Sequence, residues 1–338
     1  MSKRPKALVL MPRITFDGQF LPEQLDRLHA LCDVIDPCPA GTLDAVLDNP
    51  AAAAAEILIT GWRAPYLSSD FRPQFPKLSL IAHAAGSVKH FVDIGWLAKG
   101  VRITTCAAAN ARPVAEFTLA HILLWNKDNF GWVRRYRDQR DRLDRANRFA
   151  QDHLGNREKT IGIVGASRVG RHLIELLRPF DLDVVVYDPY VSERTAVGYG
   201  ARKVSLEELL QISEIVSVNA PSLPDTEGMI GAEQLALMRD GALLINTARG
   251  KLIDHDALIE QLHTGRISAV LDVTDPEPLP ADSPLYDMEN VVLTPHIAGS
   301  LGKEIHRMTD MLLSEIDLYA REGRLEHELV AEKWSSAA

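Results

Sequence analysis

The stretch TIGIVGASRVGRHLIELL, residues 160–177, governs the interpretation of the whole chain. Residues 160–164 predict a buried strand, and the apolar spacing after Gly170 predicts a helix. Gly165 and Gly170 match two of the three glycines of the Gly-x-Gly-x-x-Gly fingerprint, in which a strand–turn–helix unit holds a dinucleotide pyrophosphate. Ser167 stands at the place of the second glycine. The stretch therefore predicts a phosphate-binding loop with one unusual residue.

Composition limits the classes of protein to consider. The 338 residues are 46% hydrophobic and 25% charged, which is typical of a globular chain long enough for two domains. The net charge of -9 disfavours a nucleic-acid partner and favours a small molecule. The apolar run at residues 7–11 is too short for a secretory signal, and no run reaches the roughly 18 residues of a membrane span. Cys32, Cys38 and Cys106 lack metal-ligand spacing, so we expect a cytoplasmic protein without a metal.

Short apolar runs alternate with amphipathic stretches, as in parallel sheets with crossover helices. The first series of predicted strands lies at 7–11, 34–36, 57–60, 78–83 and 101–104. The second lies at 160–164, 183–187, 215–219, 242–246, 269–273 and 291–294. Helices are predicted at 22–32, around the alanines at 51–55, and after a capping box formed by Ser205 and Glu208. Two α/β domains follow, of which only the second has the phosphate loop.

A long helical region is predicted between the two series, from Pro113 to about Phe149. Its arginines are interleaved with acidic residues at helical spacing, which favours a solvated, salt-bridged face over an anion site. The residues concerned are Arg134, Arg135, Arg137, Arg140, Asp138, Asp141 and Asp144. The aromatic residues Trp125, Phe130 and Trp132 belong to the core or to a subunit interface, and we favour the interface.

Asp188 strengthens the interpretation of the phosphate loop. It ends the next predicted strand, in DVVVYDPY, about twenty residues after the loop. A carboxylate there accepts hydrogen bonds from the ribose hydroxyls and repels the additional phosphate of NADP, so NAD is the predicted cofactor. The alternative is that Asp188 only begins a turn with Pro189.

Three later segments supply groups for chemistry at the edge of the same sheet. LLINTARGKLID places Arg249 after a strand, where its planar guanidinium can bind a carboxylate in two places. LDVTDPEPLP offers Asp272 at a strand end and Glu277 between two prolines, and VVLTPHIAGS places His296 after another strand. An anion clamp, an orienting carboxylate and a proton donor are what hydride transfer to a 2-oxo acid requires. Each residue alone has an ordinary structural explanation.

In combination and order, these segments resemble the D-isomer-specific 2-hydroxyacid dehydrogenases. The resemblance runs from about Leu78 to Gly299 through AAGSVKHFVD, NARPVAEFTLA, the phosphate loop, YDPY, NAPSLPDTEGMI, INTARG, LDVTDPEP and TPHIAG. It implies two Rossmann-like α/β domains: an NAD-binding, doubly wound parallel sheet inserted in a flavodoxin-like substrate domain. The implied boundaries are 1–107 and 298–338 for the substrate domain and 108–297 for the NAD-binding domain. A homodimer is also implied.

The resemblance also implies a role for each candidate residue. Arg249 binds the substrate carboxylate, His296 exchanges a proton with the substrate oxygen, and Glu277 pairs with His296 and favours its protonated form. Asp272 matches the position that holds the nicotinamide carboxamide. The implied substrate loop is Gly86, Ser87 and Val88, and the implied cofactor residues are Gly165, Ser167, Arg168, Val169, Gly170, Asp188, Asn219, Pro221, Thr247, Ala248, Asp272 and Gly299.

The chain departs from the family pattern at the cofactor and substrate loops. Ser167 and Ser87 replace glycine, Lys89 replaces an acidic residue, and Asn219 stands where many members have histidine. These changes put specificity in question more than the type of reaction. A further hypothesis is that Lys89, His90 or Arg112 binds a second anionic group of the substrate.

The predicted activity is NAD(H)-dependent oxidoreduction of a small acid such as glyoxylate or hydroxypyruvate, with NADH preferred over NADPH. Two alternatives stay open. One is a formate dehydrogenase, which shares the framework but has glutamine at the position of Glu277. The presence of Glu277 therefore disfavours this alternative. A non-catalytic, NAD-sensing interaction protein of the corepressor type can retain the same residues.

Overall fold

The computed structural model describes residues 4–143 and 153–334. The chain forms two compact units: unit 1 is Met1–Ala111 with Ser300–Ala338, and unit 2 is Arg112–Gly299. Unit 2 is thus inserted in the sequence of unit 1. Which unit binds which ligand stays a prediction. Across the described ranges, no helix has both the length and the apolar character needed to cross a membrane.

The described residues form the following strands and helices in chain order. The strands are β1 (Lys6–Leu10), β2 (Asp33–Val34), β3 (Ile57–Thr60), β4 (Leu80–His83), β5 (Arg102–Thr105), β6 (Arg157–Val164), β7 (Asp181–Tyr187), β8 (Arg202–Lys203), β9 (Ile215–Val218), β10 (Leu243–Asn246), β11 (Ser268–Leu271) and β12 (Val291–Leu293). The helices are α1 (Arg13–Gln19), α2 (Pro22–Leu31), α3 (Leu43–Leu47), α4 (Gly95–Ala98), α5 (Ala107–Trp125), α6 (Asn129–Gln139), α7 (Arg168–Leu177), α8 (Glu193–Tyr199), α9 (Leu206–Ile212), α10 (Ala232–Leu237), α11 (His255–His263) and α12 (Ile305–Glu322).

Unit 1 contains a five-stranded sheet in the order β2-β1-β3-β4-β5. All its strand pairs are parallel, and this order is the flavodoxin-like one. Alternate residues of β1 enter different apolar clusters, because successive side chains of a strand point to opposite faces. Helices α2 and α12 pack on the same side, where Gln24 of α2 donates to the carbonyl of His306 at 2.9 Å. The sheet is therefore covered on both faces.

Unit 2 contains a seven-stranded sheet in the order β12-β11-β10-β9-β6-β7-β8, also parallel throughout. The sheet begins at its interior strand β6 and extends to one side through β7 and β8. The chain then crosses to the other side of β6 and adds β9 to β12, as in doubly wound dinucleotide-binding folds. Leu243 and Ile245 pack on one face, and Leu244 packs on the other. The predicted fold of two parallel α/β sheets is confirmed.

Several predicted elements need correction. The helix predicted from Pro113 begins at Ala107 and ends at Trp125, and α6 follows after a break at which Asp128 adopts a left-handed conformation (φ 50°). Asp128 pairs with Arg135 rather than allowing one continuous helix, and the predicted continuation through Asp144 to Phe149 lies outside the described residues. The alanines near residue 52 form a 3-10 helix, Pro50–Ala54, and the strand predicted at 34–36 is only Asp33–Val34.

Candidate active site

The candidate residues of unit 2 follow the ends of strands that stop at one level. The register aligns Val164 with Tyr187 and Val218, and then Asn246 with Leu271 across the sheet. Because the strands are parallel, the residues that follow them meet at one edge. This edge lies at the carboxyl ends of the strands, where doubly wound folds bind ligands. The residues immediately after the strand ends include Gly165, Asp188, Asn219, Thr247, Asp272 and Thr294.

The turn between β6 and α7 requires both of its glycines. Gly165 has φ +96°, and a Cβ there would lie 2.7 Å from the backbone nitrogen of Ala220. A Cβ on Gly170 would lie 2.2 Å from the carbonyl oxygen of Gly165. The turn therefore packs tightly against the loop that follows β9 and against the start of α7. The first backbone amides of a helix have no partner within the helix, so those at the start of α7 can bind an anion.

Ser167 is the N-cap of α7. Its hydroxyl oxygen accepts a hydrogen bond from the amide of Gly170 at 3.3 Å. The hydroxyl proton is left available, since one hydroxyl both accepts and donates. Ser167 thus caps the helix, and its hydroxyl can still donate a hydrogen bond to a phosphate oxygen. Val169, the second residue of α7, packs against the apolar cluster that contains Leu243 and Ile245.

Two charged residues flank this turn. The carboxylate of Asp188 accepts hydrogen bonds from the amides of Ala166 and Tyr190, each at 2.8 Å, and this holds the carboxylate beside the turn. Each carboxylate oxygen retains room for a further donor such as a ribose hydroxyl. Desolvation lowers the pKa of Arg168, and the charge of Arg171 lowers it further. Two neighbouring cations at a helix N-terminus favour a bound anion.

Asn219 and Thr247 lie at the ends of neighbouring strands. The amide of Asn219 donates to the carbonyl of Val164 at 2.7 Å, and its side chain donates to the carbonyl of Ser217 at 3.0 Å. The Thr247 hydroxyl lies 3.2 Å from the hydroxyl of Thr118 on α5. Both residues are buried, and the partners of both side chains belong to unit 2. Of the other predicted cofactor residues, Pro221 follows β9, Ala248 packs on the core and Gly299 ends unit 2.

The segment that carries Arg249 is fixed by Asn246. The side chain of Asn246 donates to the carbonyl of Arg249 at 2.9 Å and accepts from the amide of Ala248 at 3.0 Å. The Arg249 guanidinium donates to the carbonyl of Ala248 at 2.6 Å. Burial lowers the pKa of Arg249, and the charge of Glu277 opposes this shift. A substrate carboxylate would oppose it in the same way, because a negative charge stabilises the cation.

Glu277 and His296 form a hydrogen-bonded pair. Oε1 of Glu277 lies 2.7 Å from Nδ1 of His296, and both side chains are nearly half exposed. His296 has φ +55°, in the left-handed region that few residues other than glycine adopt. Because the carboxylate accepts, Nδ1 carries the proton of this bond, and Nε2 is left for a second proton. The pair can therefore donate or accept a proton at Nε2.

Asp272 organises the segment that carries His296. Its carboxylate accepts from the hydroxyl of Thr294 at 2.7 Å and from the amides of Ile297 and Ala298 at 2.8 and 2.9 Å. Its carbonyl accepts from the amide of His296 at 2.9 Å. The sequence predicts only contact between Asp272 and nicotinamide. The structure adds that this buried carboxylate holds the left-handed turn at His296.

Sequence reasoning missed Asn246, Gly250 and Thr294. A Cβ on Gly250 would lie 2.0 Å from the carbonyl carbon of Thr274, so the segments that carry Arg249 and Glu277 touch through their backbones. The only local signals were a polar residue at a strand end and a glycine next to the arginine. The partners of Asn246 are local, but Gly250 meets Thr274 and Thr294 bonds Asp272, and a local pattern specifies neither of these distant partners.

The predicted substrate loop, Gly86, Ser87 and Val88, belongs to unit 1. A Cβ on Gly86 would lie 3.3 Å from the side chain of Asn110, and Asn110 also accepts from the amide of Ser300 at 2.9 Å. The loop is thus packed against the start of α5. Among the cations proposed to bind a second anion, Arg112 already pairs with Glu116 at 2.8 Å.

One cluster of metal-type ligands occurs among the described residues, formed by Glu315, Glu326 and His327. The Glu315 carboxylate accepts from the hydroxyl of Thr104 and from the amides of Glu326 and His327, at 2.8 to 3.1 Å. These bonds tie the segment after α12 to the helix and to β5. They offset the cost of burying this carboxylate.

The strand order and the phosphate loop define unit 2 as a doubly wound dinucleotide-binding domain. Residues 128–298 match the family model of the D-isomer specific 2-hydroxyacid dehydrogenase, NAD binding domain. The chain belongs to the D-isomer specific 2-hydroxyacid dehydrogenase family, which confirms the resemblance found in the sequence.

Relatives and solved structures agree with this family. The chain is 33% identical over 235 residues to a D-3-phosphoglycerate dehydrogenase of Mycobacterium bovis, which covers 67% of this chain but only 42% of that relative. It is 30% identical over 334 residues to a glyoxylate reductase of Aeropyrum pernix, which covers 94% of this chain and 96% of the relative. The structure of Rhodotorula graminis D-mandelate dehydrogenase superposes with a TM-score of 0.81 at 25% identity, over 97% of this chain and 98% of that one.

Proposed function

We propose that this protein is an oxidoreductase that transfers a hydride between NAD(H) and a small 2-hydroxy or 2-oxo acid. The observation that carries the proposal is the 2.7 Å pair of His296 and Glu277 on the sheet edge that also presents Arg249 and the phosphate loop. An acid–base pair beside an anion-binding arginine fits carbonyl reduction. Glyoxylate, hydroxypyruvate or a related acid is the proposed substrate.

The residues present fit the cofactor that the family implies. The turn leaves no space for side chains at Gly165 and Gly170, and the charge of Arg171 lies close enough to Arg168 to lower its pKa. These residues and Ser167 would hold the pyrophosphate, and Asp188 would accept bonds from the ribose. Bound NADH would supply the hydride. We propose that NADH is preferred over NADPH, because the Asp188 carboxylate repels a 2′-phosphate.

In the reductive direction, Arg249 binds the substrate carboxylate with two parallel hydrogen bonds and orients the neighbouring carbonyl. His296 donates the proton on Nε2 to the carbonyl oxygen, which becomes the hydroxyl of the product. Glu277 accepts the hydrogen bond from Nδ1 and stabilises the imidazolium before this transfer. In the oxidative direction, neutral His296 removes the hydroxyl proton. We further propose that the protein is a homodimer and that it acts in the cytoplasm, where its free cysteines would stay reduced.

The decisive experiment is an NADH-coupled screen of the purified chain across a panel of 2-oxo acids, repeated with NADPH and with formate plus NAD. We expect NADH oxidation with at least one small 2-oxo acid, a lower kcat/KM with NADPH, and no turnover of formate. An absence of turnover with every acid would overturn the proposal. NADH binding with negligible turnover would instead support a sensing protein that acts through a partner.

A further inference from the structure

The two segments that carry Arg249 and Glu277 are joined by one histidine. His255 is the first residue of α11, and its ring lies between them. Nδ1 is 3.1 Å from the carbonyl oxygen of Ile253, on the segment that follows Arg249. Nε2 is 3.3 Å from the amide nitrogen of Asp275, two residues before Glu277. No role was predicted for His255 from the sequence.

The two partners determine the protonation of the ring. A carbonyl oxygen only accepts, so Nδ1 carries a proton and donates it to Ile253. An amide only donates, so Nε2 has a free electron pair and accepts from Asp275. His255 is therefore the neutral Nδ1–H tautomer. A lysine or arginine at this position offers no acceptor to Asp275.

We propose that His255 is a positioning residue for the segment 274–277 and keeps Glu277 in contact with His296. Its bond to Asp275 adds to the backbone contact at Gly250 and to the bond from the Thr274 hydroxyl to the carbonyl of Pro276, at 2.9 Å. Glu277 is exposed, so these bonds to its segment replace burial of the side chain as the means of orienting it. The inference rests on the proposed function, because it gives His255 a part in maintaining the acid–base pair.

The effect on catalysis is specific. Asn246 holds Arg249 through bonds that do not involve His255, so the carboxylate clamp is preserved when His255 is changed. Loss of the bond to Asp275 loosens the segment of Glu277 and leaves His296 less often paired. We therefore expect a decrease in kcat with little change in the KM of the 2-oxo acid.

The test compares His255→Leu, which removes both bonds, with His255→Gln, whose amide oxygen can still accept from the amide of Asp275. His263→Leu, an exposed residue at the other end of the same helix, is the matched control. Helix α11 retains its N-cap in every variant, since Asp254 accepts from the amide of Ala257. For His255→Leu we expect kcat to fall about tenfold, less than the 10²- to 10⁴-fold that a positioned acid itself contributes, because His255 acts only through the segment of Glu277. His255→Gln and His263→Leu are expected to stay near the natural enzyme.

Hydrogen exchange of the cofactor-free chain gives a second readout. The peptide that contains Asp275 is expected to exchange faster in His255→Leu than in the natural chain, and His255→Gln is expected to restore the slower rate. Unchanged exchange and unchanged kcat in His255→Leu would overturn the inference. If the natural chain turns over no 2-oxo acid, the proposed function fails, and the exchange rates still decide whether His255 holds the segment.

Discussion

At the residue scale, Ser167 shows how a missing glycine is accommodated. The fingerprint glycine permits close approach of the backbone to the phosphates, and serine adds a side chain at that point. In this structure the side chain turns back to cap α7 through the amide of Gly170. An N-cap serine stabilises a helix by about 0.5–2 kcal/mol relative to alanine and by only a few tenths relative to glycine. The substitution is compatible with a working loop.

We predict that Ser167→Gly changes the dissociation constant of NAD by less than about tenfold, which is about 1.4 kcal/mol. The glycine restores the closest approach of the backbone but removes one hydroxyl donor, so the two effects oppose each other. Calorimetric titration of both proteins with NAD measures the difference. A change from no measurable binding to tight binding would show that the natural serine disables the loop.

His296→Gln tests the proton donor. Glutamine keeps a polar side chain but offers no group that titrates near neutral pH. We expect kcat to fall by about 10²- to 10⁴-fold, the usual contribution of a positioned acid or base. The binding of NADH should remain, because the phosphate loop is formed by other residues. A variant with near-natural kcat would remove His296 from the mechanism.

Arg249→Lys tests the carboxylate clamp. Lysine retains the charge but lacks the planar pair of donors that binds a carboxylate in two places. We therefore expect the KM of the 2-oxo acid to rise and kcat to fall, since the substrate is held less firmly and in more than one orientation. Steady-state kinetics at saturating NADH measure both constants. Natural values for both would mean that the charge alone suffices.

At the element scale, the site depends on contacts between loops that follow neighbouring strands. The short 3-10 helix Gly250–Leu252 begins against the backbone at Thr274, where only glycine fits. The carboxylate of Asp272 then connects the end of β11 to the turn after β12. Arg249, Glu277 and His296 are thus held by three loops that support one another.

Gly250→Ala should disturb this arrangement although it adds only one methyl group. The new Cβ would lie 2.0 Å from a backbone carbon, so one of the two segments must move. We expect a loss of about 1–3 kcal/mol in the free energy of unfolding, the usual effect of overpacking, together with a large decrease in kcat. Gly198→Ala in α8 is the control, because its Cβ meets nothing within 4 Å. Equal stability and activity in the two variants would contradict the argument.

At the scale of the whole molecule, each parallel sheet places polar residues at its carboxyl edge, and in unit 1 these include the buried Thr60 and His83. Thr60 and His83 are paired across β3 and β4, and their side chains meet at 2.9 Å. Burial lowers the pKa of His83 to about 3, and the backbone of Ser87 partly opposes the shift. The folded chain therefore keeps this histidine neutral where the unfolded chain protonates it.

The stability of the protein should consequently fall as the pH falls below about 6.5. The unfolded chain binds the additional proton between about pH 6.5 and 3, so His83 stabilises the fold fully above this window and progressively less within it. At pH 5 its share of the loss is about 2 kcal/mol, at 1.36 kcal/mol for each pH unit. Urea unfolding at pH 7 and pH 5 should show a smaller difference for His83→Gln than for the natural chain. Identical differences would exclude this role.

Much of the fold could be predicted from the sequence, because local patterns encode local structure, and the sequence also proposed the residues of the site. Apolar runs separated by turns marked the strands that end at Val164, Asn246 and Leu293 to within a few residues. The pattern failed where it was too short or was overridden. Strand β8 has only two residues, both polar, and the helix predicted from Pro113 breaks where Asp128 pairs with Arg135. Such features depend on partners that a local pattern does not contain.

The sequence by itself determined the two parallel sheets and the glycines of the turn after β6, since strand ends and glycine positions are local properties. Its resemblance to the family proposed Arg249, Glu277 and His296 as site residues. Only the tertiary structure decided how these residues are held. The left-handed turn at His296 depends on the carboxylate of Asp272, and the segment of Glu277 depends on contacts with Gly250 and His255. These contacts are set by strand register, which brings together residues that are far apart in the chain.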